Sequence, residues 1–232
     1  MKEYDFWGHC DCDLIFGDIR KFVTEAVLDN YKKIFTRGHL TIYHNDPETN
    51  AFYRTQGEKN IRKIYGNPHN VAFDEWPGIS NIWKQCGGGY YDAMPFDDII
   101  AGLDGFYPTK RNGKNVHGGP YHEGNTDESE RFKRMRHITY QYNKGNLFRL
   151  WLDGHELCSE EILYVHLQKR NMDIRLKDDS IDLFVICSDA FLDYKENIMA
   201  DELKKISPDK ITLNNMYRKL RSFVRLVINK IR

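Results

Sequence analysis

The sequence predicts an α/β fold built on a mixed sheet, and two patterns carry that prediction. Short apolar runs alternate with helical patterns early in the chain, and an antiparallel hairpin signal appears later. A length of 232 residues, 41% of them hydrophobic, suits one large domain or one and a half, enough for a substantial core.

Taken in order, Tyr4 to Cys10 reads as a short buried strand, aromatic and bounded by polar residues. Asp18 opens a helix in which Ile19, Phe22, Val23, Ala26 and Val27 recur at helical spacing, ending near Asn30. His39 to Tyr43 is a second strand. Pro47 begins another short helix, and Asn67-Pro68 marks a turn. The polar turn Phe73-Asp74-Glu75-Trp76-Pro77-Gly78 leads into a helix through Ile82 and Trp83, which Cys86-Gly87-Gly88-Gly89 stops. Residues 108–131 are rich in Gly, Asn and charge without periodicity, the mark of a functional or disordered loop. Ile138–Tyr142 and Leu147–Leu152 alternate well, and Asn143-Lys144-Gly145-Asn146 between them signals a hairpin. Ile181–Cys187 is a further strand, and a helix spans about Ile211 to Ile231. The expected division is a main domain over residues 1–200 and a basic amphipathic tail over 201–232. No internal repeat is evident.

Bulk properties exclude several classes. Lys and Arg number 34, as do Asp and Glu, so the whole chain offers no general case for nucleic-acid binding. No apolar run approaches the length of a membrane span. Five scattered cysteines and no secretory signal read as a reduced, cytoplasmic chain without a disulfide framework. His9, Cys10 and Cys12 lack a second Cys/His pair at zinc-like spacing, and the cysteines read as two small buried residues beside a functional loop.

That loop carries Asp11-Cys12-Asp13, two carboxylates just past a strand end. Such a pair offers hard oxygen ligands to a divalent cation, which can in turn hold a diphosphate. This suits transfer of a group from a nucleotide-activated donor. Solvated acidic turns also contain Asp-x-Asp by chance. Here an aromatic strand precedes the pair and the apolar Leu14-Ile15-Phe16 follows, a deep frame for an exposed turn.

The stretch from Tyr4 to Arg20, with Phe6-Trp7-Gly8-His9-Cys10-Asp11-Cys12-Asp13-Leu14-Ile15-Phe16-Gly17-Asp18 at its centre, resembles the metal-site block of a bacterial glycosyltransferase family. That family has a GT-A-type, Rossmann-like fold and is common in capsule, O-antigen and exopolysaccharide gene clusters. Two later blocks also resemble it: Phe73-Asp74-Glu75 followed by Gly78-Ile79-Ser80, and Glu161-Ile162-Leu163-Tyr164-Val165-His166-Leu167-Gln168-Lys169-Arg170. The likeness covers roughly residues 3 to 170, in the right order.

The resemblance implies a metal-dependent glycosyltransferase that moves a sugar from a nucleotide-sugar donor to a saccharide or lipid-linked acceptor in surface polysaccharide synthesis. Asp13 would ligate Mn²⁺ or Mg²⁺, and Asp11 would bind the same ion or the donor's ribose. His166 resembles the histidine that completes the metal site; in an apolar segment it also fits a hydrogen-bonded core residue. Lys169 and Arg170 would neutralise the diphosphate leaving group, or form a solvated end of their segment. Asp74 and Glu75 stand where such folds place acceptor-binding or base carboxylates, or cap the helix ahead of Ile79. An inverting enzyme would use one of them as general base; a retaining enzyme would not need it. His117 and His122 either meet substrate or lie in a surface loop.

The tail adds a membrane expectation. Ile211, Leu213, Met216, Leu220, Phe223, Val224, Val227 and Ile231 form a broad apolar face, and Arg218, Lys219, Arg221, Arg225, Lys230 and Arg232 make the rest basic. This suits a helix on the anionic inner face of the plasma membrane, where a lipid-linked acceptor would be found, or a helix packed on the domain with its charges in water.

One departure from the family pattern stands out. Members normally place several strand–helix units, which bind base and ribose, before the Asp-x-Asp block. A strand starting at Tyr4 would lack its parallel neighbours. The expectation is therefore a truncated catalytic segment, or one completed by a separate chain, that binds nucleotide sugar poorly alone. The competing expectation is a non-catalytic remnant or interaction module. A metal-dependent phosphohydrolase would need a second acidic cluster that the sequence does not display.

Overall fold

The computed structural model describes residues 3–55, 66, 78–91, 96–98, 134–167, 172–177, 181–187 and 190–207. The described residues form a mixed α/β structure, mostly strand with short helices, in three open sheets. They fall into two compact units. The elements run β1 (Phe6–Cys10), β2 (Leu14–Phe16), α1 (Ile19–Phe22), α2 (Glu25–Asn30), β3 (Lys33–Arg37), β4 (Leu40–His44), α3 (Pro47–Thr55) and α4 (Ile79–Gln85). There follow β5 (Phe96–Asp98), β6 (Met135–Asn143), β7 (Asn146–Asp153), β8 (Glu156–Glu161), β9 (Tyr164–His166), β10 (Asp173–Arg175), β11 (Leu183–Ile186), β12 (Ala190–Asp193) and α5 (Ala200–Ile206).

In the first unit, the sheet order is β1-β4-β3. No parallel partner is seen beside β1 among the described residues, but its backbone is not left uncovered: β4 pairs with it antiparallel in the register Trp7↔Tyr43 and Gly8↔Ile42. Nor is β1 a buried strand, since Gly8 and Cys10 are exposed. What holds it is aromatic contact. Trp7 stacks on Tyr43 with ring centroids 4.8 Å apart, and Phe6 meets His44 edge-on at 5.0 Å. Gly8 permits the close pairing, because a Cβ there would stand 2.5 Å from the Thr41 carbonyl oxygen.

Strand β3 is unanticipated, because Lys33 lies inside it. The lysine is fully buried, donates to the Tyr43 hydroxyl at 2.9 Å, and sits 4.2 Å from that ring's centroid. The helix expected from Asp18 to Asn30 is broken in two. The β-branched pair Val23-Thr24 interrupts it, and Thr24 is extended (φ −82°, ψ 163°) while its carbonyl accepts the N–H groups of Val27 and Leu28.

Helix α3 starts at Pro47 as expected, and Asp46 caps it. One Asp46 oxygen accepts the Thr49 N–H and the other the Thr49 hydroxyl, both at 2.8 Å. His44 Nδ1 lies 2.7 Å from the second oxygen and Lys32 Nζ 3.6 Å away. Burial pushes this carboxyl up, but the Thr49 and His44 hydrogen bonds and the Lys32 charge together hold it well below the usual carboxylate range. Tyr43, Phe52, Ile82 and Trp83 form the core here. Gly88 closes over the Trp83 indole, where a Cβ would come within 2.4 Å of the ring.

In the second unit a six-stranded sheet runs β10-β12-β11-β6-β7-β8. The hairpin expected at Asn143–Asn146 is present, with Lys144 (φ 47°) and Gly145 (φ 88°) as a two-residue turn of the primed type. Strand β6 bulges between Arg136 and Thr139, where His137 adopts φ 55°. The bulge is tied to the end of α5: His137 Nδ1 lies 2.8 Å from the Ser207 carbonyl oxygen, and the Ser207 hydroxyl donates to the Ile138 carbonyl at 2.6 Å. Leu203 of α5 packs with Leu150, Leu152, Val185 and Ile198. A larger core gathers Ile138, Tyr140, Leu147, Trp151, Ile162, Val165 and Ile186.

The third sheet is small, in the order β2-β9-β5. Strand β5 runs parallel to β9, as β10 does to β12, whereas β1–β4, β3–β4, β6–β7, β7–β8, β6–β11 and β11–β12 are antiparallel. The helix expected over residues 211–231 lies outside the described residues. Among the described residues no helix is long and apolar enough to cross a membrane.

Candidate metal centre

The site forms where β1 gives way to β2. The β1–β4 ladder extends one residue past β1, with the Asp11 N–H donating to the His39 carbonyl at 3.0 Å. Cys12 and Asp13 turn the chain, and β2 begins directly after Asp13. Strand β9 lies next to β2 in the sheet and ends at His166. Its residues are buried because the run Ile162-Leu163-Tyr164-Val165 is apolar, and Phe16 of β2 packs its ring 5.7 Å from that of Tyr164. Past β2, the Gly17 N–H donates to the Leu163 carbonyl at 2.8 Å.

The outcome is a group of three ligand-type side chains. Asp11, Asp13 and His166 each offer one donor atom, and these atoms lie within 4.8 Å of one another. No other group of three or more His, Cys, Asp or Glu side chains so placed occurs among the described residues. Exposure falls across the group: Asp11 is exposed, Asp13 half-buried and His166 only 8% exposed. His166 is thus buried in an apolar strand, with a ring nitrogen close to both carboxylates.

The donor set fits a divalent cation. Carboxylate oxygens suit Mg²⁺ and Mn²⁺, and an imidazole nitrogen shifts the preference toward the transition metal. Three protein ligands on an ion that prefers six leave positions for oxygens of another molecule. Cys10 and Cys12, expected to be buried, are exposed, because the end of β1 and the turn after it carry them to the surface; as free thiols outside the group they supply none of the thiolate ligands a soft-metal site would need.

The remaining candidates are not placed. Asp74, Glu75, Lys169, Arg170, His117 and His122 all lie outside the described residues. Two supporting residues carry no signal that the sequence displays on its own. His39 acts through its carbonyl, and Gly17 matters for what it lacks, against neighbours far along the chain.

No curated protein and no solved structure matches this chain. A family model does match, over residues 1–195, which takes in all three ligand-type residues. The chain belongs to a family of unknown function, DUF6625.

Proposed function

We propose that the chain is a metal-dependent glycosyltransferase with a GT-A-like arrangement around Asp11, Asp13 and His166. The observation that carries this reading is the meeting of these three side chains, the two carboxylates from one turn and the imidazole from a distant strand, at spacing one ion would span. The resemblance of residues 3–170 to glycosyltransferases of bacterial surface polysaccharide clusters supports the choice of reaction. In this reading Asp13 and His166 hold Mn²⁺ or Mg²⁺, and Asp11 binds the same ion or the donor's ribose. The ion would supply positive charge across the two phosphates of a nucleotide sugar.

The other roles follow the sequence blocks. Lys169 and Arg170 neutralise the departing nucleoside diphosphate, and Asp74 or Glu75 takes the proton from the attacking acceptor hydroxyl if the configuration inverts. A saccharide or a lipid-linked sugar is the acceptor. The basic tail brings the enzyme to the anionic inner face of the plasma membrane.

The experiment is a donor screen: nucleotide sugars incubated with the protein and Mn²⁺, with release of nucleoside diphosphate as the readout. The expected result is turnover that stops with EDTA and falls by at least about a hundredfold in Asp13→Ala, as loss of a charge-stabilising group at a transition state costs. Turnover unchanged in Asp13→Ala removes the site. An ion bound at the cluster without turnover of any donor favours the non-catalytic interaction module.

A further inference from the structure

We propose that Gly17 is the positioning residue of the Asp11–Asp13–His166 site: it lets the chain leaving β2 lie directly against the Ile162–Leu163 backbone, and so fixes where Asp13 stands relative to His166. The inference rests on the reading of that cluster as an ion site. Two measurements carry it. The Gly17 N–H donates to the Leu163 carbonyl at 2.8 Å. A Cβ on Gly17 would stand 2.7 Å from the Ile162 carbonyl oxygen, 3.0 Å from Leu147 Cβ and 3.2 Å from the Leu147 nitrogen.

These neighbours cannot swing aside like the tip of a flexible side chain. Two of the three are backbone atoms, and the Ile162 N–H is itself bonded to the Leu147 carbonyl at 2.9 Å. Leu147 and Ile162 are both fully buried. A side chain at position 17 must therefore push the chain outward. A glycine whose backbone approaches another backbone this closely is a fixed requirement of the strand pairing.

The displacement would reach the ligands. Asp13 lies four residues before Gly17, and His166 three residues after Leu163. The segment between Asp13 and Gly17 is Leu14-Ile15-Phe16, an extended strand of bulky residues whose Phe16 ring rests on Tyr164. Such a segment has little slack, so a shift at Gly17 moves Asp13 along with it. A metal site tolerates ligand displacements of only about 0.5 Å before binding suffers.

Mn²⁺ affinity of the full chain, read by the electron paramagnetic resonance of free Mn²⁺, tests the idea in wild type, Gly17→Ala and Leu152→Ala. Leu152 is buried in the separate core with Leu203, so its truncation costs stability without touching the β2–β9 pairing. The expected result is affinity about tenfold or more weaker in Gly17→Ala, the size seen when support of a metal ligand is lost, with Leu152→Ala retaining wild-type affinity. Equal affinity in wild type and folded Gly17→Ala overturns the proposal while leaving the ion site standing. Wild type that binds no Mn²⁺ overturns both.

A second measurement needs no variant. If the strand pairing positions the ion's ligands, bound ion must in turn hold the pairing closed. At ten times its dissociation constant, Mg²⁺ is then expected to slow exchange of the Gly17 amide about tenfold. An exchange rate that Mg²⁺ does not change overturns the proposal even if Gly17→Ala fails to fold.

Discussion

Asp46 shows how much one side chain can be asked to do. It caps α3 through both Thr49 donors, holds His44 and faces Lys32. Its carboxyl is held below the ordinary range, so the sign is fixed: the stabilisation is present above the unfolded value of about 3.9 and is lost as pH falls toward the lower folded value. Asp46→Ala is expected to cost about 1–2 kcal/mol at neutral pH, as lost N-caps do. In urea titrations the gap between wild type and variant should narrow below about pH 4. At the proposed ion site the logic is different, because an imidazole must be unprotonated to ligate, as His166 would be there. Ion affinity should therefore fall on acidification, and calorimetric titrations of His166→Ala should show that variant both weaker and less sensitive to pH.

At the scale of elements, the turn of the β6–β7 hairpin is open to direct test. Gly145 sits at φ 88°, where a side chain is strained, so Gly145→Ala should lose about 1 kcal/mol by thermal melting. Lys144, at φ 47°, should gain a few tenths when changed to Asn, which tolerates that region better. This hairpin was fully legible because its information is local: two alternating runs and the turn residues that join them. The start of α3 was legible for the same reason. Strand β3 was not, because a buried lysine breaks the apolar pattern and its justification, the Tyr43 ring and hydroxyl, comes from another strand. Strand β8 also went unread, because its run is polar; it pairs with β7 and places Glu160 2.5 Å from buried Arg149. The expected helix from Asp18 to Asn30 shows the reverse error: apolar residues recur at helical spacing, yet the β-branched pair Val23-Thr24 breaks the helix in two.

For the whole molecule, part of the order of elements was readable, and apart from the β6–β7 hairpin their pairing was not. The strand at Tyr4 was expected to lack parallel neighbours, and the antiparallel β4 that covers it went unforeseen, since pairing depends on contacts far along the chain. The two carboxylates were visible as a tripeptide. Their histidine was reached through likeness to a family block, because nothing in the spacing of Asp13 and His166 announces that β2 and β9 share a sheet. An ion bound there should stabilise the fold by mass action. At a hundred times its dissociation constant Mn²⁺ should add about 2.7 kcal/mol, read as a raised unfolding midpoint that Asp13→Ala abolishes. The tie between Ser207 and the β6 bulge carries a consequence for biosynthesis. Its two ends are 70 residues apart in sequence, so at about 5–20 residues per second roughly 4 to 14 s separate their emergence from the ribosome. Until Ser207 has emerged, neither the His137 ring nor the Ile138 carbonyl has the partner that clamps it in the finished fold, and completion of α5 supplies both.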